Sequence, residues 1–342
     1  MSDEITIVDI AKEANVSITT VSRVLNGKGN VNINTKQKVE EIIQKYDYYP
    51  NIVAKNLCTP HGNIIGVVMP DVRNPHYANI FVGCEKYAND MGYSLLLCNT
   101  LNSSELEEKY YEALIAQRVS AIVHIGGRVD ELVSDPAYVE HINRIANQIP
   151  IIASGKLDGG DCYFVNIDHR AAIDQVMEYL LSLGHKDIAL VGGRGDVIST
   201  VQKRFRYQQI LAKNGLKYGT SYIAEGNTYD DAGGYSAMQK ILAGKIIPTA
   251  VIAINDISAI GVIRAIHNHG LKIPEDISVA SFDDTYITEI TEPELTSVNN
   301  NYNEYCKTVM QNADALLKGK RVPRYMEIEP KLVIRNSCCI RK

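Results

Sequence analysis

The residues with the clearest chemistry lie near the start of the chain. Ile7-Val8-Asp9-Ile10-Ala11-Lys12-Glu13-Ala14 is separated from Ile18-Thr19-Thr20-Val21-Ser22-Arg23-Val24-Leu25 by Asn15-Val16-Ser17. Ile7, Ile10, Ala11 and Ala14 recur at helical spacing, as do Val21, Val24 and Leu25, and Ser17 stands where it can cap the second helix. Gly27 and Gly29 end that helix. Its outer face carries Ile18, Thr19, Ser22 and Arg23. A DNA major groove admits one helix; arginine can make paired hydrogen bonds to guanine, and hydroxyls can contact phosphates. The chemistry this spacing points to is the reading of duplex DNA.

The elements that must hold this face are a third helix over 35–46, with Val39, Ile42 and Ile43 on one side, and the first two helices packed against it. An all-α helix-turn-helix domain follows, with its boundary near Thr59-Pro60-His61-Gly62. Beyond it the pattern changes. Strand-like apolar runs over 64–69, 93–98, 121–125, 151–154, 187–191, 250–254 and 278–282 alternate with helical stretches over 77–91, 103–117, 170–183, 201–214 and 256–269. Continuous apolar strands alternating with helices imply parallel sheets covered on both faces, an α/β class. There are too many such units for one ordinary open sheet, so residues 63–342 are expected to form two lobes. Ligands of such folds sit beyond the carboxyl ends of the strands.

Composition narrows the functional classes. The 342 residues are 45% hydrophobic and 22% charged, enough for a sizeable core. The net charge of −5 says nothing for or against nucleic acid, but Ser17 to Leu57 holds six cations against three acids. The acidic start, Met1-Ser2-Asp3-Glu4, does not resemble an export leader, and no apolar stretch reaches the ~20 residues that cross a bilayer, so a cytoplasmic protein is expected. Cys58, Cys84, Cys98, Cys162, Cys306, Cys338 and Cys339 lack the spacing of a zinc site and read as reduced packing thiols; no metal or cofactor is expected. His185, His267 and His269 are scattered, and neither a phosphate-binding GxxxxGK[ST] loop nor a GxSxG nucleophile elbow is present, so an enzyme is not expected. Gly192-Gly193-Arg194-Gly195 reads as a strand-to-helix turn.

The run from Ile7 to Gly27, and Val16-Ser17 with Thr20-Val21-Ser22-Arg23-Val24-Leu25-Asn26-Gly27 above all, resembles the DNA-binding domain of the lactose and galactose repressor family. The resemblance continues through Tyr48-Tyr49-Pro50-Asn51-Ile52-Val53-Ala54-Lys55-Asn56-Leu57, which in that family is a hinge helix whose leucine wedges into the minor groove. It implies DNA contacts from Ser17, Ile18, Thr19, Thr20, Ser22, Arg23, Asn26, Asn51, Ala54, Lys55 and Leu57. From Asn63 onward the phrases Ile65-Gly66-Val67-Val68-Met69-Pro70-Asp71, Leu183-Gly184-His185, Asn255-Asp256, Ile273-Pro274-Glu275-Asp276-Ile277-Ser278-Val279 and Phe282-Asp283-Asp284 resemble the same family's core, whose fold is that of periplasmic sugar-binding proteins.

That resemblance implies an N-lobe over about 63–166 and 299–325 and a C-lobe over about 167–298 and 326–342. It places the effector-gripping arginine and aspartate at Arg206 and Asp283, with Asn255 and Asn300 as further polar contacts and His76 and Tyr77 as a ring wall. Asn74, Arg128, Lys156, Arg194 and Tyr229 are secondary candidates. Two departures stand out: Gly155-Lys156 replaces a usual Asp-Arg pair, and Asn299-Asn300-Asn301 stands where Gln-Pro is usual. A small sugar-type effector is expected; Arg73, Arg128, Lys156 and Arg194, which collect in loops after strands, point either to an acidic sugar or sugar phosphate or to a solvated rim. The whole implies a transcriptional repressor of carbohydrate-utilisation genes that binds a palindromic double-stranded operator as a homodimer, with no membrane partner. A sugar-uptake protein shares the core but has no use for Ser17 to Arg23.

Overall fold

A computed structural model describes residues 5–25, 31–48, 62–216, 219 and 221–341. The chain divides into two compact units, Met1–Gly62 and Asn63–Lys342.

In the first unit, α1 (Ile7–Ala14) is opened by a reciprocal capping box between Thr6 and Asp9 and closed by Asn15 in the left-handed conformation, φ 54°. Val16 N–H returns to the Ala11 carbonyl at 3.0 Å, completing the tight turn. Ser17 then caps α2 (Ile18–Leu25), its hydroxyl oxygen accepting from Thr20 N–H at 3.1 Å. Asn32 caps α3 (Ile33–Lys45), which starts two residues earlier than the apolar spacing suggests. Ile10, Ala11, Ala14, Val21, Val24, Val39 and Ile42 form the core. Lys45 is paired with Glu13 at 2.8 Å and ties α3 to α1.

The second unit begins β1 (Ile64–Met69), α4 (Pro75–Met91), β2 (Ser94–Asn99), α5 (Ser104–Ala116), β3 (Ala121–Ile125), a short 3-10 turn (Gly127–Asp130), α6 (Pro136–Ala146), β4 (Ile151–Ser154) and β5 (Tyr163–Ile167). It continues α7 (His169–Ser182), β6 (Ile188–Val191), α8 (Ile198–Lys213), β7 (Ile223–Ala224), α9 (Asp231–Leu242), β8 (Ala250–Ala253), α10 (Asp256–Asn268) and β9 (Ser278–Asp283). It ends α11 (Ile287–Ile290), β10 (Thr296–Asn299), α12 (Tyr302–Leu317), β11 (Tyr325–Ile328) and β12 (Lys331–Val333).

Two six-stranded sheets result, in the orders β11-β5-β4-β3-β1-β2 and β12-β10-β9-β8-β6-β7. Every pairing is parallel except β10 with β12. The strands are buried on both faces, so each sheet separates two apolar clusters, which is why they read as unbroken hydrophobic runs. On the second sheet, α9 and α10 approach to backbone contact: a Cβ on Gly234 would lie 2.0 Å from the Ser258 carbonyl oxygen, and one on Gly261 1.9 Å from that of Asp231.

The chain passes between lobes after β5, after β10 and after β11. The third passage corrects the expected boundary at 325. Met326 and Glu327 pair with Val165 and Asn166, so the first lobe keeps the chain through Ile328. β11 at the sheet edge and β5 beside it are short strands of mixed polarity, Tyr-Met-Glu-Ile and Tyr-Phe-Val-Asn-Ile, which a search for apolar runs passes over. Among the described residues no helix is long and apolar enough to cross a membrane, and no His, Cys, Asp or Glu cluster could hold a metal ion.

Candidate DNA-reading helix and effector cleft

Helix α2 buries Val21 and Val24 and turns Ile18, Thr19 and Arg23 outward. Ile18 is 48% exposed, and the exposed Arg23 makes no ion pair among the described residues. Ser22 is half-buried beside them. Ser17 and Thr20 are bonded to each other through their hydroxyls at 2.9 Å, so their first role is to start the helix. Starting it there leaves its N-terminal positive dipole at the outer face, where a phosphate would be favoured. Asn26, Asn51, Ala54, Lys55 and Leu57 lie outside the described residues.

Between the two sheets of the second unit lies a cleft of about 1140 Å³. Its walls come from the carboxyl ends of strands in both lobes: Asn74, His76 and Tyr77 after β1, Arg128 and Asp130 after β3, Lys156 after β4, Arg194, Thr200 and Lys203 after β6, Tyr229 after β7, Asn255 after β8, Asp283 at the end of β9 and Asn300 after β10. Ten of the eleven effector candidates named from sequence are therefore brought together.

The exception is Arg206. Its guanidinium binds Asp174 of α7 at 2.6 and 3.0 Å, outside the cleft. The cation that faces the cleft is Lys203, three residues earlier and so about 4.5 Å nearer the start of α8 at the usual helical rise. Lys203 is buried, its Nζ 4.3 Å from the centre of the Phe282 ring and 3.5 Å from the Ile254 carbonyl oxygen. Burial lowers its pKa, while Asp283, Asp130 and Asp256 act to raise it.

Asp283 is held at φ 101°, in the left-handed region that only a well-braced residue keeps. Asn300 Nδ2 donates to its carboxylate at 3.0 Å, and His76 Nδ1 lies 3.5 Å from the same oxygen and 3.0 Å from the Tyr302 hydroxyl. Burial pushes the His76 pKa down despite Asp283, and burial, Lys203 and His76 push that of His169 well down, so both rings are neutral near pH 7. His169 Nδ1 is buried without a hydrogen-bond partner and lines the cleft. Beneath the floor, Asp256 accepts from Ser281 Oγ, Ser297 Oγ, Thr285 N–H and Thr285 Oγ1. Burial first, and Asp283 second, push its pKa up to about 7.

Several candidates have structural duties as well. Asn74 caps α4 by accepting from His76 N–H at 3.0 Å. Asn255 caps α10 by accepting from Ser258 N–H at 2.8 Å and donates to the Tyr229 carbonyl at 3.0 Å. The Tyr229 hydroxyl meets Thr200 Oγ1 at 2.6 Å.

The rim cations do not form an anion site. Arg73 is paired with Asp71 at 2.7 Å, Arg128 with Glu108 at 2.6 Å and Asp135 at 2.8 Å, Lys156 with Asp158 at 2.7 Å, and Arg194 with Asp196 at 2.5 Å. Each partner lies within a few residues in the chain or on the adjoining helix, so the loops neutralise themselves. The reading of the rim as an acidic-effector site loses its basis, and what faces the interior is Lys203 with Asp130 and Asp283, above the buried Asp256. Sequence reasoning missed Lys203, Asp130, Thr200 and His169.

A helix-turn-helix unit joined to a two-lobed α/β binding core defines a DNA-binding transcription regulator. Residues 6–51 match the profile of bacterial regulatory proteins of the lacI family, and residues 177–338 that of periplasmic binding protein-like domains. Catabolite control protein A of Staphylococcus epidermidis is 32% identical over 298 residues, covering 86% of this chain and 87% of that protein. The namesake from Priestia megaterium is 34% identical over 298 residues with the same coverage. Among solved structures, the Lac repressor dimer bound to operator and the anti-inducer ONPF superimposes with a TM-score of 0.87 at 26% identity, covering 98% of this chain and 100% of that one. The transcription regulator CcpA of Lactococcus lactis gives 0.71 at 26% identity, covering 80% and 98%. The chain belongs to the lacI family of bacterial regulatory proteins.

Proposed function

We propose that this regulator is a cytoplasmic repressor of carbohydrate-utilisation genes, with no catalytic turnover, that binds a palindromic operator as a homodimer and is controlled by a polyhydroxylated, uncharged small molecule in the cleft. The domain division behind this reading is a helix-turn-helix over 1–49, a hinge over 50–62 and a two-lobed sensor from 63 onward. The observation that carries it is the Lys203, Asp283 and Asn300 cluster at the cleft floor: a buried donor and a braced carboxylate acceptor that can pair directionally with ligand hydroxyls. The structure of the Lac repressor with operator and anti-inducer supports the same division of labour.

Arg23 would read a base edge, Ile18 and Thr19 would pack in the groove, and Asn26, Asn51, Ala54, Lys55 and Leu57 would extend the contact. Effector binding shifts the balance between lobe arrangements, and the DNA-competent population shifts with it. Selection of bound duplexes from a random pool, repeated with neutral sugars, uronates and sugar phosphates, tests the whole reading. Enrichment of a palindrome whose recovery changes with a neutral sugar is the expected result; no enriched duplex under any condition overturns it. Stabilisation by sugar phosphates alone would restore the acidic class of effector.

A further inference from the structure

Helix α8 (Ile198–Lys213) lacks a cap of its own. Val197 occupies the N-cap position and contributes no side-chain acceptor, although the first N–H groups of any helix need partners. A carboxylate reaches this helix start from the opposite lobe. Asp130, in the 3-10 turn after β3, accepts the Ser199 hydroxyl at 2.7 Å, in the first turn of the helix. Two backbone links flank it: Leu132 N–H donates to the Asp196 carbonyl at 2.8 Å, and Glu131 forms an antiparallel bridge with Val197.

The turn that carries Asp130 reaches this place because residue 155 is glycine. Gly155 has φ +139°, and a Cβ there would sit 2.0 Å from the Val129 carbonyl oxygen and 3.1 Å from Asp130 Cα. Lys156 N–H, next along, donates to that carbonyl at 2.5 Å. The departure at Gly155-Lys156 thus removes one side chain from the cleft and admits the backbone that brings another carboxylate in.

Position in the sheets gives the contact its leverage. The covalent passages between lobes leave from β5, β10 and β11, toward one edge of each sheet, whereas this join follows β3 and β6, away from that edge. A link far from the hinge resists opening more effectively than one beside it.

We propose that Asp130 is the clasp of the effector cleft, a positioning residue that binds the first turn of α8 across the gap, holds the lobes together and sets Thr200 and Lys203, on the same helix, against the ligand. This rests on the reading of the cleft as the effector site and concerns its regulation. The charge at Asp130 is faced by Lys203 and by the hydroxyls of Tyr77, Ser199 and Tyr229. When the lobes part, the carboxylate loses its Ser199 bond and leaves the positive end of the helix, so closure carries the stabilisation of that charge-assisted hydrogen bond and of an acid beside a helix N-terminus.

Hydrogen exchange followed by mass spectrometry on the full chain, with small-angle scattering alongside, tests this. In Ser199→Ala, which removes one hydroxyl and leaves the fold intact, exchange in both 127–133 and 194–203 is expected to rise about fivefold, as for loss of one hydrogen bond, with an increase in radius of gyration. Asp130→Ala, which removes the acceptor, and the double variant should give the same change, and Ser199→Thr should restore the native rates. Faster exchange confined to 194–203, or rates unchanged in both segments, overturns the clasp. Because neither DNA nor ligand is present, failure of the regulator reading would show separately, as absence of any selected duplex.

Discussion

Lys203 lies over the Phe282 ring, its Nζ 4.3 Å from the ring centre, and this cation-π stacking, not the ion pair of Arg206 with Asp174, puts a positive charge at the cleft floor. The two residues are three apart on one helix and do different work. Lys203→Met should therefore weaken the most stabilising sugar by about 1.5–3 kcal/mol, the worth of a hydrogen bond to a charged group. Arg206→Ala should leave affinity unchanged and cost at most about 1 kcal/mol of stability, as for an exposed ion pair. Calorimetric titration of both variants checks this; equal losses would return Arg206 to the site.

On the DNA side, Arg23→Ala should cost about 1–3 kcal/mol of operator affinity and relax preference at one base pair in each half-site. Competition binding against single-position operator variants measures it. Uniform weakening across all sequences would make Arg23 a phosphate contact instead.

Asp256 predicts a pH dependence of stability. Its folded pKa, about 7, is raised above the ordinary 3.8. Its contribution is therefore fully present below about pH 3.8 and is lost as pH rises through 7, because the unfolded chain ionises first. Between pH 5 and 8 the loss should be roughly 1–3 kcal/mol. Asp256→Asn keeps an acceptor for Thr285 N–H and can donate to Ser281 and Ser297, so it should flatten this slope. Thermal melts of both proteins across that range decide it; parallel pH profiles would assign the dependence elsewhere.

Gly261→Ala should destabilise the second lobe by about 1–3 kcal/mol or more, since its Cβ would fall 1.9 Å from a carbonyl oxygen and α9 and α10 would have to separate. Denaturant unfolding reads the loss directly. An unchanged midpoint would mean the helices can slide apart freely.

Legibility of the sequence tracked the locality of the signal. Asn15, Ser17 and the apolar spacing on either side defined the helix-turn-helix, because caps and turn act within a few residues. The buried central strands were legible as unbroken apolar runs, while β5, β7, β10, β11 and β12 were not, being short or of mixed polarity. The misplaced arginine has a different cause. The resemblance put Arg206 in the gripping position, whereas α8 turns Lys203, three residues earlier, to the cleft and Arg206 to Asp174. No local cap marks the start of α8 at Ile198, and the carboxylate that meets it, Asp130, is 69 residues from Ser199 in the chain. Pairing of the rim cations was equally invisible, since Arg128 finds Glu108 across a strand.

The threefold passage of the chain between lobes bears on how the protein is born. The first sheet needs β11 for its edge, and its face needs α12, so that lobe cannot be completed until the ribosome has passed residue 328. The described helices α1, α2 and α3 have no such wait, since they bury a small core of their own. A chain cut short before residue 328 would thus carry the elements of a reading head with no finished form of the sensor.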